Sequence, residues 1–130
     1  MTAVVDASAL LALLFDEPGA QAVAEVVADG ATMSAVNLAE VATVLIRNHR
    51  DPQKVLDRVQ AQIEVKPFTD VDALAVAALY PKVSAKGLSL GDRACLALAQ
   101  RLDAPAVTAE HMWAGLSLDI AVQLIGSPRN

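Results

Sequence analysis

The sequence has one cysteine, little positive charge and no long apolar run. Cys95 lies in an apolar run, which predicts a small buried side chain rather than a reactive thiol. Polar residues interrupt every apolar stretch before the roughly 20 residues that a bilayer span needs, so we expect no membrane segment. The amino terminus lacks a basic region and reaches an acid at Asp6, so we expect no signal peptide. A lone thiol without an export signal indicates a cytoplasmic protein.

The shortage of positive charge limits how this chain could bind nucleic acid. Ten Lys and Arg against fifteen Asp and Glu give a net charge of −5 at pH 7. Such a balance argues against a broad basic surface that grips nucleic acid non-specifically. It does not exclude a nucleic-acid enzyme, because cations held by converging acids would set the local field where a phosphate arrives.

Aliphatic residues are what the chain has in abundance. Hydrophobic residues make up 55% of the sequence and aromatic residues only 3%, so the core must be aliphatic and closely packed. With 130 residues, we expect residues 1–130 to form a single domain. Short apolar runs alternate with helical stretches, which is typical of an α/β fold with a parallel sheet. Strands are predicted at 3–6, 31–34, 64–68, 106–108 and 120–125, and helices at 8–15, 18–28, 38–50, 52–63, 71–84 and 89–102.

Four acids come from distant segments but occupy related places in this pattern. Asp6 ends the first predicted strand, and Glu110 follows the fourth. Glu40 lies about one turn into its helix, and Asp92 lies in the first turn of another. Ligands of open parallel sheets bind beyond the carboxyl ends of the strands, so these side chains could meet above one edge. Packed carboxylates repel and usually need a cation, and hard oxygen ligands select Mg²⁺ or Mn²⁺, which can activate water at a phosphate.

Each acid also has a purely structural interpretation. Asp92 lies three residues after Ser89, which is the spacing of a capping box. Glu110 could cap a short helix, and Glu40 could be a solvated helix acid, although its apolar neighbours favour partial enclosure. Asp6 is the acid that folding needs least. Three further residues could contact the substrate or support the acids: Ser8, Thr108 and Arg93. A serine at a helix start, such as Ser8, more often caps the helix.

Several other phosphate chemistries lack their residues here. A metal-free ribonuclease commonly uses two histidines as general base and acid, whereas His49 is predicted at a helix end away from the acids, leaving only His111. A haloacid-dehalogenase-type phosphatase needs a second Asp where this chain has Ser8. A phosphate-signalling receiver domain needs an acidic pair and a late Lys, and neither they nor a P-loop occurs.

Taken together, the acid-bearing segments resemble a PIN domain, and more narrowly a VapC-type toxin of a toxin–antitoxin pair. The matching segments are VVDASAL at 4–10, SAVNLAEV at 34–41, GLSLGD at 87–92 and VTAE at 107–110, and the tail 114–125 is similar to the family's closing strand. The resemblance implies a flavodoxin-like, three-layer α/β/α fold with a central, mostly parallel sheet of about five strands. It also implies that Asp6, Glu40 and Asp92 are the principal catalytic and metal-binding acids. Glu110 would be the fourth, at a position where the family more often has Asp.

The resulting hypothesis is a Mg²⁺- or Mn²⁺-dependent endoribonuclease that is the toxin of a type II toxin–antitoxin system. Attack by metal-activated water would leave 5′-phosphate and 3′-hydroxyl ends on the RNA. The alternative is a catalytically silent PIN-like module that binds RNA or protein, which would have no reason to keep the full set of acids. The resemblance and the frequency of symmetric pairs also favour a homodimer. A cognate antitoxin is expected on apolar side chains of the first two helices: Leu10, Leu11, Leu14, Val23, Val26 and Val27.

Overall fold

The computed structural model describes residues 2–127, and a five-stranded parallel sheet lies at its centre. The strands are β1 (Ala3–Val5), β2 (Ala31–Ser34), β3 (Ile63–Lys66), β4 (Ala106–Thr108) and β5 (Val122–Leu124). Their order is β3-β2-β1-β4-β5, and every pairing is parallel. Val5 is in register with Val107, so β1 and β4 end side by side. The ends of the predicted domain, residue 1 and residues 128–130, lie outside the described range.

Helices cover both faces of the sheet, which confirms the three-layer α/β/α prediction. The α-helices in residues 2–127 are α1 (Ala7–Leu14), α2 (Ala20–Asp29), α3 (Ala35–Arg47), α4 (Pro52–Gln60), α5 (Asp70–Val83) and α6 (Leu90–Leu102). Successive strand residues face opposite layers. Val5 packs into the core beneath α1 to α4, whereas Val4 packs into the core beneath α5 and α6. Both cores are mainly aliphatic, and Trp113 is the large aromatic exception at 1% exposed.

Most elements begin or end one to three residues away from the predicted bounds, as the turn before α2, the third strand and helix α5 illustrate. Pro18 lies in a turn before α2, and Gly19 precedes the helix with φ +96°. A Cβ at Gly19 would collide with the backbone of Gly126, so a long-range contact requires glycine there. The third strand begins one residue earlier than predicted and ends at Lys66. Helix α5 begins at Asp70, one residue earlier than predicted, and is capped by Thr69.

The apolar surface predicted for an antitoxin is largely interior. Leu10, Val23 and Val27 are 1%, 0% and 8% exposed and belong to the core between the sheet and helices α1 to α4. The prediction of a docking surface on these three residues is therefore wrong. Periodicity identified the correct apolar faces, but those faces already pack against the sheet. Among the residues that the structure describes, no helix is long and apolar enough to cross a membrane.

Candidate functional site

The four predicted acids line one cavity of about 190 Å³ beyond the carboxyl ends of β1 and β4. Asp6 directly follows β1, and Glu110 comes two residues after β4. The other two acids come from helices, Glu40 from α3 and Asp92 from α6. The remaining lining residues are Ala7, Ser8, Leu11, Asn37 and Val44. A neighbouring cavity of about 560 Å³ shares Ser8, Leu11 and Glu110 with it, so the acid cavity adjoins a larger open space on the side of Glu110.

Asp6 is a buried carboxylate held by three hydrogen bonds. The backbone N–H of Ala9 and the hydroxyl of Ser8 each donate to Oδ1 at 2.8 Å, and the hydroxyl of Thr108 donates to Oδ2 at 2.5 Å. The residue is only 3% exposed, and this burial raises its pKa to about 6 against the lowering effect of the three hydrogen bonds. The pKa of about 6 includes a smaller upward contribution from the charge of Asp92. Asp6 caps α1, but an uncharged capping residue such as Ser or Asn would do so without burying a negative charge.

Ser8 and Thr108 connect Asp6 to the segment that carries Glu110. The Ser8 hydroxyl accepts from the backbone N–H of Ala109 at 2.9 Å and lies 3.2 Å from the Thr108 hydroxyl. The Thr108 hydroxyl accepts from the backbone N–H of Glu110 at 3.0 Å. Ser8 therefore does not cap α1, and both hydroxyls instead orient the carboxylate of Asp6.

Glu40 meets helix α6 through two residues that sequence reasoning did not single out. The side-chain amide of Asn37 donates to Glu40 Oε1 at 2.8 Å and to the carbonyl of Gly91 at 3.0 Å. A Cβ at Gly91 would collide with the Glu40 carboxylate. Glu40 is exposed, which contradicts the partial enclosure expected from its apolar neighbours. Its neighbour Ala39 is exposed as well, and the buried neighbour Val41 packs into the core instead. The contact between Asn37 and Glu40 could have been found from their spacing of three residues, which places both side chains on one face of a helix.

Asp92 serves as a helix cap and also lines the acid cavity. The backbone N–H of Ser89 donates to Asp92 Oδ2 at 2.8 Å, and the Ser89 hydroxyl accepts from the backbone N–H of Asp92 at 3.2 Å. The capping box predicted from the spacing is thus formed. Within the described chain, the recorded hydrogen bonds of this carboxylate use Oδ2, which leaves Oδ1 for the cavity. The two interpretations of Asp92 are therefore compatible.

Glu110 and Arg93 differ in how they relate to the cavity. Glu110 precedes the 3₁₀ turn His111–Trp113, but its side chain makes no capping hydrogen bond, so its carboxylate is not required for that turn. The guanidinium of Arg93 donates to the carbonyl of Val76 at 3.1 Å and lies over the ring of Tyr80. Arg93 therefore faces α5 and is not brought to the acids.

The thiol of Cys95 lies beneath the cluster without taking part in it. It is fully buried, and burial raises its pKa well above the ordinary value. The charges of Asp6, Asp92 and Glu40 raise it further. A protonated, enclosed thiol is a poor nucleophile and a poor metal ligand, which confirms Cys95 as a small buried side chain.

The donor chemistry of the cavity suits Mg²⁺ or Mn²⁺. Within residues 2–127, no three His, Cys, Asp or Glu side chains are grouped so that they could hold a metal ion by themselves. Mg²⁺ is rarely held in an all-protein cage, since it usually takes one or two carboxylates and completes its shell with water and phosphate. Asp6 Oδ2 receives a single hydrogen bond, and Asp92 Oδ1 receives none from the described residues, so both keep lone pairs for a cation.

One comparison with known proteins identifies a family, and another identifies proteins of similar fold. The family model described as PIN domain matches residues 3–116. A search of curated protein sequences finds no match. Among solved structures, VapBC-1 from nontypeable Haemophilus influenzae has a TM-score of 0.75 at 16% identity, covering 95% of this chain and 98% of that one.

Two further structures have similar scores. VapBC2 from Rickettsia felis, bound to a promoter DNA fragment, has a TM-score of 0.71 at 16% identity and covers 96% of this chain and 99% of that one. VapC20 from Mycobacterium tuberculosis, described as a sarcin–ricin loop cleaving toxin, has a TM-score of 0.68 at 14% identity, covering 93% and 99%. At identities this low, the three structures show a shared fold through their TM-scores. The match to the family model covers most of the sequence. The chain belongs to the PIN-domain family.

Proposed function

We propose that this chain is a metal-dependent endoribonuclease and the toxin of a type II toxin–antitoxin system. The observation that carries the proposal is the cavity lined by Asp6, Glu40, Asp92 and Glu110, which come from four separate elements. Clustered carboxylates beside a buried one are unfavourable for stability unless a cation offsets them. Support for the toxin assignment comes from the similar fold of VapC20 and of the VapBC complexes.

In this proposal the acids hold Mg²⁺ or Mn²⁺ and the neighbouring space receives the RNA backbone. Asp6, Glu40 and Asp92 would be the principal ligands, with Glu110 completing the set directly or through water. The bound cation supplies positive charge for the phosphate and lowers the pKa of the attacking water. Ser8 and Thr108 fix the rotamer of Asp6, so that its free lone pair faces the cavity. Products then carry 5′-phosphate and 3′-hydroxyl ends, because water rather than the 2′-hydroxyl attacks.

The same proposal includes an inhibitor, a cellular location and an oligomeric state for the enzyme. An active ribonuclease harms the cell that makes it, so the chain requires an inhibitor, and a cognate antitoxin is the partner that the related complexes suggest. We also propose that it acts in the cytoplasm and as a homodimer. An antitoxin cation directed at the acids would compete with the metal and stop cleavage without unfolding the enzyme.

The test is RNA cleavage by the purified chain with and without EDTA, followed by added Mn²⁺. Wild-type protein should cleave RNA with Mn²⁺ and should not cleave it in EDTA. Cleavage by Asp6→Asn should not exceed the background rate. Asp103→Asn is the matched control, because Asp103 is an exposed acid at the far end of α6 in a left-handed conformation that Asn tolerates. RNA binding without cleavage in any metal would instead favour the silent binding module.

A further inference from the structure

Asn37 is a buried polar side chain between the two helices that carry Glu40 and Asp92. It is 1% exposed, and its Nδ2 donates to the Glu40 carboxylate at 2.8 Å and to the carbonyl of Gly91 at 3.0 Å. Both partners can only accept, so the amide orientation is fixed, since a flipped amide would place Oδ1 against two oxygens. One side chain of α3 thus ties an acid of its own helix to the first turn of α6.

Folding alone gives no reason for an asparagine at this position. Its Oδ1 is buried without a hydrogen-bond partner among the described residues, and such an unpaired acceptor destabilises the folded state. An apolar side chain of similar shape would avoid that loss. Glu40 is exposed, so its carboxylate needs no protein donor to remain hydrated. The arrangement therefore serves the location of Glu40 rather than the stability of α3.

Gly91 provides the second, independent feature on the opposite helix. A Cβ there would collide with the Glu40 carboxylate, although Gly91 lies within α6, where Ala is the better helix former. Gly91 and Asp92 are consecutive, so the space over Gly91 lies next to the acid of α6. Asn37 from one helix and Gly91 from the other define the same location for one carboxylate.

We propose that Asn37 is a positioning residue that holds Glu40 over Gly91, so that Glu40 and Asp92 can share one divalent cation. This inference rests on the proposed function, because it assigns a role toward the cation that the acids bind. A fixed Glu40 loses less side-chain freedom when the cation binds. Loss of a partner that orients a metal-binding carboxylate typically weakens metal affinity by about 10- to 100-fold.

The experiment is a Mn²⁺ titration of the metal-free chain, followed by the electron paramagnetic resonance signal of free Mn²⁺, beside urea unfolding in EDTA. Asn37→Leu should bind Mn²⁺ about 10- to 100-fold more weakly while its unfolding midpoint does not fall. Gly91→Ala should also bind more weakly, with an unchanged or higher midpoint. Asn48→Leu is the control, since Asn48 is an exposed residue at the end of α3 that bonds only its own helix. If Asn37→Leu does not fold, Asn37→Ala replaces it with the same expectation.

A double variant tests whether Asn37 acts through Glu40. In a Glu40→Gln background, Asn37→Leu should leave Mn²⁺ affinity unchanged, because the carboxylate that it positions is already gone. An equal loss in that background, or wild-type affinity in the single Asn37 or Gly91 variant, overturns the proposal. Failure of the proposed function gives a different result, in which wild-type protein does not bind Mn²⁺ or Asp6→Asn binds it as tightly.

Discussion

Asp6 combines two properties that conflict in the absence of a cation, full burial and negative charge. Its backbone follows a buried strand, and its three hydrogen bonds offset only part of the loss of hydration. The folded protein therefore binds a proton at Asp6 more tightly than the unfolded chain does. A cation in the cavity would reverse this preference by stabilising the carboxylate.

The stability of the metal-free protein should consequently fall as pH rises from about 4 to above 6. The folded pKa of about 6 exceeds the ordinary value of 3.8, so between these values the folded state holds more protons, and the free energy of unfolding decreases with pH. The difference corresponds to about 3 kcal/mol, lost by pH 7. Urea unfolding in EDTA across this range measures it. Asp6→Asn should lack this decline, and identical profiles for the two proteins would contradict the account.

The acids should also differ in how much cleavage depends on them. Asp6→Asn, Glu40→Gln and Asp92→Asn should each nearly eliminate turnover, because each removes a charge from the metal-binding set. Glu110→Gln should cost less if its longer side chain acts through water. Initial rates of RNA cleavage at saturating Mn²⁺ provide the ranking, with a melting curve to verify the fold. Equal and small losses for all four would contradict a shared metal site.

Among individual residues, the sequence predicted the four acids that line the cavity and also Ser8 and Thr108, which hold Asp6, but it did not predict Asn37 and Gly91, which hold Glu40. Asp6, Glu40, Asp92 and Glu110 could be found because a carboxylate at a strand end or helix start has few structural roles. Asn37 could not, since its importance depends on the carbonyl of Gly91, which is 54 residues away in the chain. Long-range hydrogen bonds of this kind leave no local pattern.

Helix α6 shows how one element can use the same acid for its own start and for a site. Helix α5 offers the matched comparison, because Thr69 and Asp72 form a capping box of the same design. Asp72 additionally pairs with Arg101 at 3.3 Å and does not line the acid cavity. Both Asp72 and Asp92 cap a helix, but only Asp92 lines the cavity, so a comparison of the two distinguishes the capping role from the proposed catalytic role.

Asp72→Asn should lower the free energy of unfolding by about 1 kcal/mol and leave RNA cleavage unchanged. Asp92→Asn should cost no more stability in EDTA, because an Asn oxygen can still accept from Ser89, but cleavage should disappear. Denaturant unfolding and a cleavage assay on both variants make the comparison. Parallel losses of stability and activity in the two variants would show that Asp92 is only a cap.

Elements were predictable where local patterns determine them and less so where distant contacts do. The capping box of Ser89 and Asp92 and the first strand depend on neighbouring residues. The capping box formed as predicted, and the strand formed one residue shorter than predicted, ending at Val5. The turn at Pro18 and Gly19 was not predicted, because close packing against Gly126 determines the backbone there. Helical propensity at Pro18 was therefore a misleading guide.

For the whole molecule, alternation of apolar runs and helical stretches predicted the α/β class and the parallel sheet, whereas the three layers were predicted from the resemblance to PIN domains. Solvent exposure was not predictable in the same way, since periodicity identifies an apolar face but not the surface that covers it. Val23 and Val27 lie on such a face of α2 and pack against the sheet rather than facing a partner. Of the six residues predicted for an antitoxin, Leu11, Leu14 and Val26 remain partly exposed, so the prediction stays open only for these three.

Expression of the whole chain should arrest growth, and the small protein encoded beside it should prevent that arrest. The physical reason is that an unrestrained ribonuclease degrades cellular RNA, whereas an inhibitor bound at the acids blocks cation or substrate access. Growth curves with wild-type protein, Asp6→Asn and the co-expressed neighbour measure the effect. Harmless expression of a chain that cleaves RNA briskly after purification would contradict the toxin assignment.

The central claim is that these acids direct metal-dependent hydrolysis of RNA, and sequencing of RNA ends after brief induction tests it most directly. Wild-type protein should produce new 5′-phosphate ends and matching 3′-hydroxyl ends, and both should be absent with Asp6→Asn at equal protein level. New ends that carry 2′,3′-cyclic phosphates, or the same cleavage with Asp6→Asn, would contradict it.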